Sequence, residues 1–196
     1  MKRFWILEFG FWTLNDLTAP IRNPKSRIPN GMRVLGIDPG SETLGWGIVE
    51  GEKLKYSLVD FGTVKSSPKD AFSKRLLRIG DGVAEVIAKF RPDVLSVEEA
   101  FYAANAKVAI KLGQVRGVVL YTGERERLEI AEYSPRLVKQ TVVGYGNAEK
   151  RQVQEMVRLL LRLNSAPQPH DAADALALAI CHFHHSGVAA RIRTGR

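Results

Sequence analysis

Residues 35–49, LGIDPGSETLGWGIV, place two apolar runs on either side of one short polar turn. RVLGI, which leads into that turn, predicts a buried strand, and LGWGIV predicts a second one. Because the connection between them is so short, an antiparallel pair is favoured. KLKYSLVDFGTVKS then predicts a third strand, and its mixture of apolar and polar residues is typical of the edge of a sheet. The fold therefore has to begin with three strands in succession.

Helical periodicity begins only after these strands. Apolar residues recur at intervals of three and four from Phe72 to Phe90, which predicts an amphipathic helix. PDVLSVEE and LEIAEYS predict the fourth and fifth strands, separated by a long helix over Asn105–Arg125. Further helices are predicted from Ser134 to near Gly144 and Gly146, from about Ala148 to Leu163 and from about His170 to His185. This order predicts an α/β domain of the mixed-sheet type, with about five strands, the first three antiparallel, and helices on both faces.

The two ends of the chain differ from this domain, which we expect to span residues 32–186. Residues 1–31 include APIRNPKSRIPNG, which is rich in proline and basic residues and has no period. We expect this extension to be disordered or a gene-start artefact, with Met32 as the natural start. The alternative is a basic, aromatic arm that contacts DNA or a partner. Residues 187–196 have no core pattern and are expected to form a loose basic tail.

Charge and cysteine content narrow the classes of function. The 196 residues carry a net charge of +8, which favours a polyanionic partner such as nucleic acid. Cys181 is the single cysteine, so no intrachain disulfide is possible and no thiolate zinc site is suggested, which fits a cytoplasmic protein. No apolar stretch is long enough to span a bilayer, so we expect no membrane partner.

Four carboxylates occupy positions that favour a shared site. Asp38 and Glu98 each end a predicted strand, although a lone Asp-Pro-Gly is more typical of a turn. In PHDAADALALAI, Asp171 and Asp174 lie three residues apart, which puts both on one helix face. Asp171 suits a helix N-terminus, whereas Asp174 lies in an apolar run, where a buried carboxylate is costly unless a cation offsets it.

Carboxylates without a histidine or cysteine cluster favour hard divalent cations such as Mg²⁺. Two such ions can activate water on one side of a phosphodiester and stabilise the leaving oxygen on the other. Since the chain is basic as well, the carboxylates predict metal-dependent phosphodiester hydrolysis.

The same segments carry a family resemblance. GIDPG at the end of the first strand, the glutamate that ends the fourth, and DAADALA resemble the RuvC family of Holliday-junction resolvases, in the RNase H-like superfamily. FYAANAKVAIKLGQVRG and VKQTVVGYGNAEKRQV are similar to the same family, and the likeness covers about residues 32–185. It implies an RNase H-like fold and a Mg²⁺-dependent endonuclease that resolves four-way DNA junctions in recombination and repair.

The resemblance also implies roles for particular residues. Four acids fall on the family's catalytic, metal-binding positions, and three other residues fall on DNA-binding positions. The acids are Asp38, Glu98, Asp171 and Asp174, and the DNA-binding residues are Phe101, Lys139 and Lys150. Two Mg²⁺ ions per active site are implied, with Mn²⁺ as a substitute. The implied partners are four-way junction DNA, a second copy of the chain in a homodimer, and the RuvA and RuvB branch-migration proteins.

Other interpretations stay open from the residues alone. A nuclease of the YqgF type acting on RNA, a phosphate-loop ATPase of the actin and sugar-kinase kind, and a DNA-binding module without catalysis share parts of the pattern. Phe101 fits either a base-stacking residue or a core residue. Lys107, Lys111 and Arg116 fit either phosphate contacts or a solvated helix face. Gly113 and Gly117 fit packing against the sheet or against a twin subunit.

Overall fold

The computed structural model describes residues 31–52, 54–99 and 105–194, with side chains described through Ser186. The strands and helices of these ranges follow the predicted order. They are β1 (Met32–Asp38), β2 (Thr43–Glu52), β3 (Lys55–Lys65), α1 (Phe72–Phe90), β4 (Val94–Glu98), α2 (Ala106–Arg125), β5 (Glu129–Tyr133), α3 (Pro135–Val143), α4 (Lys150–Leu160) and α5 (His170–Thr194).

The strands form a five-stranded mixed sheet in the order β3-β2-β1-β4-β5. β1 pairs antiparallel with β2, and β2 pairs antiparallel with β3. β4 lies parallel to β1 and to β5. The sequence-based expectation of a mixed sheet whose first three strands are antiparallel is therefore confirmed, and β3 lies at an edge as its polar residues predicted.

The two faces of the sheet each pack against helices. Successive side chains of a strand point to opposite faces. On β1, Val34 packs in a hydrophobic cluster with residues of α3, α4 and α5, whereas Leu35 packs in a second cluster with residues of α1 and α2. Val94 and Leu95 of β4 repeat this alternation. The predicted helices on both faces are confirmed, and the sheet separates two apolar cores.

Glycines of β1 and β2 let α5 lie close against the sheet. A Cβ atom on Gly36 would overlap the backbone carbonyl of Ala175. One on Gly45 would overlap the carbonyl of Asp171 and lie 2.9 Å from the nitrogen of Ala172. Only glycine permits this approach of two backbones. The beginning of α5 is thereby held over the ends of the central strands.

Two helix ends differ from those predicted. α5 continues to Thr194, although we expected it to end near His185 and residues 187–196 to be loose. GVAARIRT lacks an apolar period, but its two alanines and two arginines favour a helix, and the segment contains no proline to end one. α4 is shorter than predicted and spans Lys150–Leu160. The predicted N-terminal extension falls outside the described residues except for Gly31.

Candidate active site

β1 and β4 each end in a carboxylate at the same edge of the sheet. They are parallel neighbours, and their last residues are Asp38 and Glu98. Two residues earlier on each strand, Gly36 meets the α5 backbone and the Ser96 hydroxyl donates a hydrogen bond of 2.9 Å to the carbonyl of Leu178. Because the side-chain period of a strand is two, Asp38 and Glu98 point to the α5 face as well.

α5 brings the other two predicted acids to this edge. It begins at His170, and Asp171 lies in its first turn, where the helix dipole favours a carboxylate. The contact of the Asp171 carbonyl with Gly45 fixes the helix start over β2. Asp174 lies one turn further along, with its side chain 27% exposed. The spacing of three puts both aspartates on one face of α5.

One cavity of about 460 Å³ collects most of the predicted site. Asp38, Glu98 and Asp174 line it together with Lys139 and Lys150. Much of the remaining wall consists of apolar side chains from α2, α3, α4 and α5. The structure therefore brings three of the four predicted carboxylates and both predicted lysines to one place.

The carboxylates are close enough to affect one another's ionisation. Burial raises the pKa of Asp38 from 3.8 to about 7, and the charges of Asp174, Glu98 and Asp171 contribute to this rise. The pKa of Glu98 is also raised, first by burial and then by Asp174. Asp171 does not line the cavity, yet its charge acts on Asp38. Burial and like charge together disfavour ionised carboxylates here.

The two lysines are carried into the cavity by short capped helices. The Ser134 hydroxyl accepts a hydrogen bond from the backbone N–H of Leu137 and starts α3, which carries Lys139. Lys150 is the first residue of α4, and its Nζ lies 3.2 Å from Oδ2 of Asp174. The charge of Asp174 raises the pKa of Lys150. Lys150 and Lys139 both lower the pKa of Glu98, although burial and Asp174 dominate.

The donor chemistry of the cavity fits a hard divalent cation. All the acidic donors are carboxylate oxygens, which Mg²⁺ prefers, and a cation among them would relieve the repulsion that raises the pKa of Asp38. In the ranges that the structure describes, however, no group of three or more histidine, cysteine, aspartate or glutamate side chains is arranged so that it could hold a metal ion. Asp174 instead accepts a hydrogen bond of 3.2 Å from the ammonium group of Lys150.

Two further charged residues line the cavity: Glu99, which was given no role, and Arg116, for which a phosphate contact and a solvated helix face were left open. Glu99 follows β4 and lines the cavity. Arg116 of α2 also lines it, and its side chain is only 18% exposed, so it does not lie on a solvated helix face. In the structure Arg116 follows the fully buried Val115 on the covered side of α2, which its charge alone did not indicate. Phe101 lies outside the described residues.

The fold and the cavity define an RNase H-like nuclease, and the solved structures of similar architecture agree with this class. Thermus thermophilus RuvC, solved in complex with a Holliday junction substrate, is 39% identical, with a TM-score of 0.77, and the match covers 81% of this chain and 96% of that one. The yeast mitochondrial Holliday junction resolvase Ydc2 shares the fold at 15% identity, with a TM-score of 0.62 and 84% of each chain covered.

Sequence comparison gives the family. The family model described as crossover junction endodeoxyribonuclease RuvC matches residues 34–182. The RuvC of Caldanaerobacter subterraneus subsp. tengcongensis is 44% identical over 165 residues, which cover 84% of this chain and 100% of that relative. The RuvC of Rubrobacter xylanophilus is 50% identical over 155 residues, covering 78% and 86%. The chain belongs to the RuvC family of crossover junction endodeoxyribonucleases.

No helix within the described ranges is long and apolar enough to cross a membrane.

Proposed function

We propose that this chain binds four-way DNA junctions and hydrolyses one phosphodiester bond in each of two strands, in recombination and repair. The observation that carries the proposal is the cavity in which Asp38, Glu98 and Asp174 meet Lys139 and Lys150. Carboxylates supply metal ligands and ammonium groups supply phosphate contacts, so the cavity combines both requirements of metal-dependent phosphodiester hydrolysis. Membership of the RuvC family supports the choice of a DNA junction as substrate.

The metal ions of this proposal are Mg²⁺, two per active site, with Mn²⁺ as a substitute. Asp38, Glu98, Asp171 and Asp174 would hold them. When bound, such ions polarise the phosphodiester and lower the pKa of an attacking water. The carboxylates would have to rearrange to hold an ion, because Asp174 accepts a hydrogen bond from Lys150 and no three acidic side chains of the described residues are arranged as metal ligands.

The cavity residues have distinct tasks in this mechanism. Lys150 neutralises Asp174 in the free chain and donates to a phosphate oxygen once DNA is present. Lys139, on the adjacent helix, contacts the same strand. Phe101, in the segment between β4 and α2, stacks on a base near the junction centre. Burial of Asp38 beside the apolar wall strengthens its electrostatic interactions with the neighbouring charges.

A second copy of the chain is part of the proposal, because a junction offers two equivalent strands. α2 provides a surface for it: Ile110 is 62% exposed and Tyr121 is 67% exposed. Between them, Cβ atoms on Gly113 or Gly117 would meet nothing within 4 Å. Exposed apolar side chains around small residues suit close helix packing. Cytoplasmic location and cooperation with RuvA and RuvB complete the proposal.

Sedimentation tests the dimer. Ile110→Glu places a charge on the α2 surface and should shift the chain to monomer, whereas Leu159→Glu, at an exposed apolar position of α4, should not. Sedimentation of the wild type and of both variants as monomers would contradict the dimer proposal.

The activity is tested with a synthetic four-way junction, a linear duplex and an RNA–DNA hybrid, each with Mg²⁺. We expect paired nicks near the crossover and little cutting of the other two substrates. Asp38→Asn and Asp174→Asn should each abolish cutting and leave junction binding intact. Asp81→Asn, an exposed acid on α1, is the matched control and should cut normally. Parallel loss of folding and binding in both cavity variants would mean that these acids are structural.

Phe101→Ala tests the aromatic contact. It should reduce cutting of the junction while the thermal unfolding temperature stays close to that of the wild type. A large loss of stability without a specific loss of cutting would instead identify Phe101 as a core residue.

A further inference from the structure

Arg116 connects three elements at the rear of the cavity. Its Nε donates a hydrogen bond of 3.0 Å to the backbone carbonyl of Glu98, the last residue of β4. Its second guanidinium nitrogen forms an ion pair with Glu132 of β5. Since Arg116 itself belongs to α2, one planar group joins a helix to the ends of two neighbouring strands.

The carbonyl that Arg116 contacts lies where the sheet ends. Pairing between β1 and β4 runs as far as Ile37 and Val97, and β1 ends at Asp38. The next residue is Pro39, which has no N–H to donate. A donor from outside the strands is therefore well placed at the Glu98 carbonyl, and the guanidinium supplies it.

The peptide that Arg116 contacts also sets the direction of a side chain in the cavity. The Glu98 carboxylate starts from the Cα atom beside this carbonyl, so rotation of the peptide would move the carboxylate relative to Asp38 and Asp174. The guanidinium has a fixed fork geometry, and Glu132 restrains its second arm. The side chain is mostly covered, which reduces its freedom to swing out to a phosphate.

We propose that Arg116 is a positioning residue, which acts through the backbone of Glu98 to hold that carboxylate in the geometry needed for a divalent ion. The proposal rests on the proposed nuclease function. It distinguishes Arg116 from Lys139 and Lys150, whose ammonium groups point their charge into the cavity. The fork of the guanidinium, rather than its charge, is the property that the site requires.

The test compares Arg116→Gln, Arg116→Lys and Glu132→Gln with the wild type. Arg125→Gln is the matched control, because Arg125 lies on the same helix and pairs with a glutamate, Glu126, away from the cavity. Three quantities are measured: Mn²⁺ binding by electron paramagnetic resonance, kcat and KM on a four-way junction with Mg²⁺, and junction affinity without metal.

Arg116→Gln should weaken Mn²⁺ binding and lower kcat by about ten-fold each, as expected when a group that orients a metal ligand is removed. Its junction affinity without metal should stay within about two-fold of the wild type. Arg116→Lys should show most of the loss in Mn²⁺ binding and kcat seen in Arg116→Gln, because lysine supplies the charge of arginine but not its fork of donors. Glu132→Gln should give a smaller change in the same direction, and Arg125→Gln should give none.

Several results would overturn the proposal. One is normal Mn²⁺ binding and kcat in folded Arg116→Gln; another is a loss confined to KM or junction affinity, which would identify a DNA contact. Full recovery in Arg116→Lys would identify a role of charge. If Arg116→Gln does not fold, unchanged Mn²⁺ binding in both Arg116→Lys and Glu132→Gln would overturn the proposal in its place. A wild type that binds Mn²⁺ but leaves the junction uncut would refute the nuclease function instead.

Discussion

Replacing Asp38 with asparagine should stabilise the fold at neutral and alkaline pH when no divalent metal is present. The folded-state pKa of Asp38 is about 7, against 3.8 for an unperturbed aspartate. Between these two values the folded chain binds a proton that the unfolded chain has released, so the free energy of unfolding falls as the pH rises from about 4 to about 7. Above pH 7 the whole loss is present, and it corresponds to about 4 kcal/mol.

Asparagine is similar in size to aspartate and carries no charge, so it avoids this loss. Urea unfolding of the wild type and Asp38→Asn in EDTA should give similar stabilities at pH 4 and an advantage of a few kcal/mol for the variant at pH 8. Mg²⁺ should then stabilise the wild type more than the variant, because bound cation offsets the carboxylate repulsion. Equal stabilities at pH 8, or an advantage independent of pH, would refute the account of Asp38 as a buried carboxylate repelled by its neighbours.

Two further changes test how the fold holds the site. Gly45→Ala introduces a methyl group where the Asp171 carbonyl lies, so it should displace the start of α5. Denaturation should show a loss of about 1–3 kcal/mol in stability. The junction assay should show cutting lowered about 100-fold. Wild-type cutting by Gly45→Ala would contradict the close approach of α5 to β2. Ser134→Ala removes the N-cap of α3 and should cost about 1 kcal/mol, whereas Ser134→Thr should retain most of the stability; equal unfolding midpoints for all three would argue against the cap.

The order of elements was predictable because it depends on local periods. The apolar run of β1 and the three- and four-residue spacing in α1 are visible in the sequence, and the structure confirms the buried strand and the helix that they predicted. Asp38 and Glu98 could be placed at strand ends for the same reason, whereas the pairing of β1 with β4 is known only from the structure. Ser134 and Gly144 mark the start and end of α3 through their residue types, and both are the observed caps.

The features that the sequence did not predict depend on tertiary contacts or on weak local signals. Arg116 carries the same charge as Lys107 and Lys111 on the same helix, and only the tertiary structure distinguishes it, through its bond to the Glu98 carbonyl. The ion pair between Lys150 and Asp174 joins residues far apart in sequence, so spacing could not predict it. α5 extends to Thr194, past the end near His185 that the apolar period predicted, because that period reports packing of a helix face and not where the helical backbone ends.

The arrangement of charges at the sheet edge follows from where each strand stops. Asp38 and Glu98 lie two residues beyond positions that pack tightly against α5, so the side-chain period of the strands directs both carboxylates toward the helix that carries Asp171 and Asp174. The packing that makes the core dense thus also forces like charges together. A chain selected for stability alone would gain from a neutral residue at Asp38. Asp38 and Glu98 lie in this cavity although burial and neighbouring charge raise their pKa values, which supports the proposal that the charge of these two side chains serves binding of a cation and cleavage of a phosphate.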